Sequence, residues 1–127
     1  TWGHANVMLE KIKSGTLPSS VPFPIVVWQF AGSPPFDLIG LSGEPVHGYA
    51  KLFQNRFPNR QLCLTGYTTN FPFYVVSDEM LRAGGNYENA VSMIYFGLPA
   101  PLRGLKYSGL SSAEQEIVRK GLEMIRQ

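Results

Sequence analysis

Residues 36–49, FDLIGLSGEPVHGY, contain the break from strand to helix around which the rest of the chain can be arranged. The apolar run Phe36–Leu41 predicts a buried strand that ends before Gly43. Pro45 suits the first position of a helix, where its missing N–H would have no partner. Glu44 would then be the N-cap, a position that favours Ser, Thr, Asp or Asn. A glutamate kept at this corner indicates either a metal ligand or general base at a strand end, or a solvated side chain favoured by the helix dipole.

The segments on either side predict the fold class. PIVVWQFA (24–31) reads as a strand joined to the strand above by the turn GSPP, and QLCLTGY (61–67) reads as a third strand after a helix. This strand–helix–strand order predicts a βαβ-type unit in an α/β (or α+β) domain, with a small mixed sheet and helices packed on it. The near-continuous apolar strands predict a sheet that is covered on both faces. At 127 residues, 1–127 is expected to be a single domain.

The remaining segments predict helices, each with its own end signals. The first ends at Gly15, and another begins at the N-cap Ser77 and is interrupted at Gly84. The last is expected to begin with a capping box formed by Ser111 and Glu114.

Polar side chains follow two of the predicted strands. Glu44 comes after one strand and Tyr67-Thr68-Thr69 after another, and ligands gather at the carboxyl ends of strands in such sheets. We therefore expect these two segments to converge. His47, three residues after Glu44, could share a helical face with it as a Glu-x-x-His pair, although a satisfied or exposed helix histidine is the plainer interpretation.

Composition argues against several classes of function. The net charge of +2 has no basic cluster behind it, so nucleic-acid binding has no support. Cys63 is the only cysteine, so no intrachain disulfide is possible, and we interpret it as a small buried hydrophobe on a strand rather than a nucleophile. No apolar stretch reaches the roughly 18 residues of a transmembrane segment. Gly84-Gly85-Asn86 lacks the strand before it and the Lys of a phosphate-binding loop.

Three ordered segments resemble a known family: LIGLSGEP (38–45), GYTTNFPFYVVSDEM (66–80) and AGGNYENAVSMIYFG (83–97). Together they are similar to the later part of the neutral/alkaline ceramidase catalytic domain. That family has a strand ending in Leu-Pro-Gly-Glu-Pro and a later strand ending in Gly-Tyr. A Gly-Gly-Tyr-Glu segment follows, and after it a Ser and a Tyr. The resemblance covers residues 36 to 97.

The resemblance implies an amidase that cleaves N-acyl sphingosine-type lipids with one zinc ion. In the family, two upstream histidines, the glutamate of the Gly-Glu-Pro motif and a downstream tyrosine hold the metal. Glu44 matches that glutamate, and Tyr95 matches a tyrosine of the substrate pocket. Leu81 stands where the metal tyrosine aligns, so either Tyr87 is recruited as the metal ligand through a local shift or the metal site has only a partial set of ligands.

Two hypotheses follow from the match and its departures. In the first, the chain is the C-terminal portion of a larger ceramidase-like hydrolase domain that acts on a lipid or N-acyl amide. Zinc would bind only if an upstream portion of the same protein supplies histidines, because His4 has no matching motif around it. In the second, the chain is a catalytically inactive binding or structural module on the same fold without a complete metal site. The family resemblance suggests a secreted, periplasmic or membrane-associated protein, but the sequence itself does not fix the compartment.

Overall fold

A computed structural model describes residues 2–18, 21–69, 73–85, 87–92, 94 and 112–125. This part of the chain has the helices and small mixed sheet of an α+β fold, as the sequence predicts. No helix within it is long and apolar enough to cross a membrane. In chain order the elements are α1 (Trp2–Lys13), β1 (Ile25–Phe30), β2 (Phe36–Leu41), β3 (Glu44–Pro45), α2 (Gly48–Arg56), β4 (Gln61–Thr65), β5 (Tyr74–Val75), α3 (Asp78–Ala83), α4 (Tyr87–Ala90) and α5 (Ala113–Met124).

The larger sheet has the strand order β1-β2-β4. β1 runs antiparallel to β2, with Ile25 opposite Leu41, and β4 runs parallel to β2. The parallel pair requires a crossover, which α2 provides. The βαβ-type unit predicted from the sequence is therefore confirmed. A separate two-stranded sheet pairs β3 with β5.

The core lies between one face of the larger sheet and the helices α2 and α5. Because side chains alternate along a strand, the register puts Ile39 and Leu41 of β2 on this face. Both are fully buried, as are Tyr49 and Phe53 of α2. α5 approaches α2 closely at Gly121, where a Cβ atom would lie 2.5 Å from the Phe53 ring.

The opposite face of the sheet carries Trp28, Phe30 and Cys63, all of them exposed. The expectation of a sheet covered on both faces is therefore wrong for the described part of the chain. The expectation of a buried Cys63 is wrong for the same reason. Its strand, β4, is a sheet edge, and its side chain points to the uncovered side.

The helix ends follow capping chemistry with one correction. Ser77 caps α3 by accepting a hydrogen bond from the Met80 amide, as predicted. The capping box of α5 is formed by Ser112 and Gln115, one residue beyond the predicted pair, and Ser111 lies outside the described residues. Glu114 instead accepts a hydrogen bond from the Asp78 amide at 2.9 Å. The two helix N-termini are thereby joined.

Candidate functional site

Glu44 lies in a strand and not at a helix N-cap. It is the first residue of β3 and is paired in parallel with Tyr74 of β5. The Glu44 amide donates to the Phe73 carbonyl at 3.2 Å, and the Val46 amide donates to the Val75 carbonyl at 3.1 Å. Pro45, between these two donors, is at a position where the ladder does not use an N–H, so proline fits the strand. The prediction that Pro45 begins a helix was wrong for this reason.

His47 does not share a helical face with Glu44. It is the N-cap of α2, which begins at Gly48, and its side chain makes no capping hydrogen bond. Because Glu44 belongs to a strand, the spacing of three residues does not place the two side chains on one helix turn. His47 is exposed, in agreement with its plainer interpretation.

The Glu44 carboxylate is hydrogen-bonded to phenols. The Tyr67 hydroxyl donates to Oε2 of Glu44. This bond, more than burial, raises the pKa of Tyr67 to about 12. A hydrogen bond to Glu44 is also the main reason that the pKa of Tyr74 is raised. At neutral pH both phenols therefore keep their protons and act as donors to the carboxylate.

The ends of β2 and β4 meet at this point, as the sequence predicts. The Tyr67 amide donates to the Gly43 carbonyl at 2.7 Å, and the Thr68 hydroxyl donates to the Leu41 carbonyl at 2.9 Å. Gly66 permits the approach, because a Cβ atom there would lie 2.7 Å from Cδ of Pro45. The segment that carries Tyr67 is thus held against the segment that carries Glu44.

Ser42 fixes the base of the same junction. Its side chain is fully buried and donates to the Pro24 carbonyl at 2.6 Å. Because that bond uses its one hydroxyl proton, Ser42 accepts from the hydroxyl of Thr69. Ser42 thus links the two strand ends directly.

Tyr87 lies one aromatic ring away from Glu44. Its ring meets the Tyr74 ring edge-on, with centroids 6.0 Å apart and an interplanar angle of 88°. Leu81, the position aligned with the family's metal tyrosine, belongs to α3. Tyr95, the predicted substrate-pocket residue, lies outside the described residues.

From the sequence, Tyr74 is expected to be a packing residue, whereas in the structure a hydrogen bond to Glu44 raises its pKa. No sequence pattern marks Tyr74 as a site residue, because a strand of two residues has no periodicity to recognise. The role of the Tyr67 segment could be anticipated only as a general convergence of strand ends. Specific contacts with Glu44 emerged from the pairing of β3 with β5.

The oxygen donors around Glu44 fit part of a zinc site. Zinc accepts carboxylate oxygen alongside the nitrogen and sulfur ligands that it commonly takes. In the part of the chain that is described, no three His, Cys, Asp or Glu side chains are grouped so that they could hold a metal ion. Glu44 and a neighbouring phenol could therefore supply the oxygen ligands of a zinc ion, and its nitrogen ligands would have to come from elsewhere.

Comparison with known proteins identifies no relative. No family model matches the chain, and searches of curated proteins and of solved structures also return no match. The candidate site is therefore defined by the geometry around Glu44, and the resemblance to the neutral/alkaline ceramidase family stays a prediction.

Proposed function

We propose that this chain is the C-terminal part of a zinc-dependent hydrolase that cleaves amide bonds in N-acyl, ceramide-like lipids. The observation that carries the proposal is the arrangement of Glu44 between phenols at the meeting point of two parallel strand ends. In open sheets with parallel strands, ligands typically bind at the carboxyl ends of those strands. The resemblance of residues 36–97 supplies the reaction class.

Glu44 would be the carboxylate ligand, and a tyrosine would be the second oxygen ligand. The resemblance favours Tyr87, whereas the hydrogen bond to Glu44 favours Tyr74. Zinc, when bound, would bring the pKa of its water to about 7 and polarise the amide carbonyl. The nitrogen ligands would come from an upstream portion of the same protein, and Tyr95 would contact the lipid.

The chain's own residues would prepare the site before substrate arrives. The Tyr67 hydroxyl holds the carboxylate by its bond to Oε2, which limits the rotation of the carboxylate. The bonds of Ser42 to Thr69 and of Thr68 to the Leu41 carbonyl hold the two backbone segments together, so that Glu44 and Tyr67 keep their separation. A positioned ligand set costs less reorganisation when the metal and the substrate bind.

A metal-free binding or structural module is the second candidate. Leu81 and the partial ligand set among the described residues favour it. The phenols also satisfy Glu44 by hydrogen bonds alone, so the arrangement is stable without a cation. Such a module would bind a lipid or acyl ligand without cleaving it.

The decisive experiment measures zinc content and amide hydrolysis in the full-length protein. We expect one zinc ion per chain and cleavage of a fluorogenic N-acyl amide. Glu44→Gln should lower zinc affinity at least about tenfold, because it removes the charged ligand. Glu79→Gln, which changes an exposed glutamate of α3, is the matched control and should leave zinc content unchanged.

Three results would separate the candidates. A full-length protein without zinc, or one that retains its zinc after Glu44→Gln, would contradict the hydrolase proposal. Lipid binding by such a protein would support the module. Tyr74→Phe and Tyr87→Phe would then identify the second ligand in a zinc-containing protein, because each removes one hydroxyl and keeps the ring.

A further inference from the structure

The backbone of Tyr67 has a conformation that L-residues other than glycine rarely adopt. Its φ is +55°, and it is the one non-glycine residue with positive φ in the part of the chain that is described. In this left-handed region the Cβ atom crowds the following carbonyl oxygen, so Gly, Asn or Asp usually occupies it. A tyrosine at this position requires a compensating role.

Neither the backbone nor packing of the ring accounts for the choice of tyrosine. The Tyr67 amide donates to the Gly43 carbonyl at 2.7 Å, but a glycine or asparagine would supply the same N–H. The side chain is 71% exposed, so burial of the ring stabilises little. What the tyrosine supplies is the hydroxyl that donates to Oε2 of Glu44.

We propose that Tyr67 is a positioning residue for the Glu44 carboxylate, an inference that rests on the zinc hydrolase function proposed above. Its hydroxyl occupies one carboxylate oxygen, Oε2, and thereby orients the other oxygen, Oε1, as a metal ligand. Such orienting partners of metal ligands commonly raise metal affinity by about 10- to 100-fold.

The surroundings of Tyr67 suit this role. A Cβ atom on Gly66 would lie 2.9 Å from the Gly43 carbonyl oxygen, so the preceding residue must be glycine for the two loops to touch. On the other side, the Thr68 hydroxyl is bonded to the Leu41 carbonyl. The unusual φ therefore lies in a segment that is fixed at both ends, and the phenol is aimed by the backbone.

Two variants at the same position separate positioning from structure. Tyr67→Phe removes the hydroxyl and keeps the ring, and Tyr67→Gly removes the side chain and relieves the backbone conformation. In the full-length protein, both should lower zinc affinity about tenfold or more, measured by competition with a chelator. The melting temperature of Tyr67→Gly should stay close to that of the wild type, because relief of the left-handed backbone offsets the lost bond to Glu44.

A nearby hydroxyl provides the control. Thr65→Val removes a side-chain donor two residues away, one that binds the Gly66 carbonyl at 3.3 Å, and it should leave zinc affinity unchanged. If the wild type binds zinc and either Tyr67 variant keeps the wild-type zinc affinity, the role of Tyr67 alone is overturned. A full-length wild type without zinc would overturn this role and the proposed hydrolase together.

Discussion

The ion pair between Asp37 and Arg60 provides the sharpest test of the energetics of this fold. Asp37 lies on β2 and is fully buried, while the side chain of Arg60, just before β4, is 17% exposed. The guanidinium donates from Nε to Oδ2 at 2.5 Å and from Nη2 to Oδ1 at 2.8 Å. This two-point contact joins the neighbouring strands at the end opposite to Glu44.

Arg60→Met should destabilise the chain by about 3–5 kcal/mol. The substitution replaces the guanidinium with an apolar end on a side chain of similar length. It leaves a buried carboxylate without its counter-charge, and such a loss costs about 3–5 kcal/mol in other proteins. Two hydrogen bonds to charged groups, at about 1.5–3 kcal/mol each, lead to a similar figure. Domains of this size are stable by only about 5–15 kcal/mol, so the variant should be close to unfolding at room temperature.

The measurement is urea unfolding followed by circular dichroism, with the midpoint and slope compared among variants. The double variant Asp37→Leu/Arg60→Met removes both charges and should recover most of the lost stability, because a buried ion pair is often replaced by apolar residues at little cost. Arg119→Met breaks exposed ion pairs on α5 and should cost less than about 1 kcal/mol. The reasoning is refuted if Arg60→Met is as mild as Arg119→Met, or if the double variant is no more stable than the single one.

Three further predictions concern the helices and the phenol cluster. Gly121→Ala should lower the free energy of unfolding by about 1–3 kcal/mol, because its new Cβ would lie 2.5 Å from the buried Phe53 ring. A higher free energy of unfolding, measured by chemical denaturation, would show instead that the helix propensity of alanine dominates. Ser112→Ala should cost about 1 kcal/mol or somewhat more in the same assay, since it removes the α5 cap and a 2.7 Å bond to Asp78 on α3, and an unchanged midpoint would contradict this. The pKa of Tyr67 is raised from 10.0 to about 12, so its bond to Glu44 stabilises the fold fully below pH 10.0 and is lost as the pH rises through about 12. Phenolate absorbance should show this late ionisation, and Glu44→Gln should move it to lower pH; an unshifted titration would exclude the bond as its cause.

The larger sheet could be predicted because its strands are long enough to carry a pattern. β2 and β4 have six and five residues and are mainly apolar, and the helix between them has its own amphipathic signal. The order of these elements leaves few arrangements, and the parallel β2–β4 pair is one of them. Sequence pattern therefore sufficed for the scaffold that holds Glu44.

The described part of the chain leaves one face of the sheet uncovered, and the same pattern could not predict this. An apolar run such as that of β1 indicates that neither face of the strand is polar, but it does not state what covers each face. Trp28 and Phe30 are apolar and exposed. The described helices that contact the sheet, α2 and α5, pack on the other face. Apolar composition and burial are separate properties, and the second depends on elements far away in the chain.

The site itself depends on strands too short to be recognised. β3 and β5 have two residues each, and a proline fits the first position of a helix as well as it fits β3. The choice between these two places is made by backbone hydrogen bonds to Phe73 and Val75, which lie far along the chain. Local propensity was thus divided, and tertiary pairing decided the conformation of Glu44.

The same pairing changes the weight of Leu81. In a zinc site at Glu44, a phenol ligand would have to lie near the carboxylate, whatever its position in an alignment. Tyr74 is the residue directly paired with Glu44 and is bonded to it, whereas Leu81 belongs to a helix beyond β5. Leucine at position 81 therefore does not remove tyrosine from the site.

A phenol that ligates zinc must first lose its proton, and the carboxylate opposes that loss by raising the pKa of both phenols. Zinc binding at Glu44 would thus release a proton, whereas a metal-free module would keep it, and the proton count on adding zinc distinguishes the two proposed functions independently of catalysis.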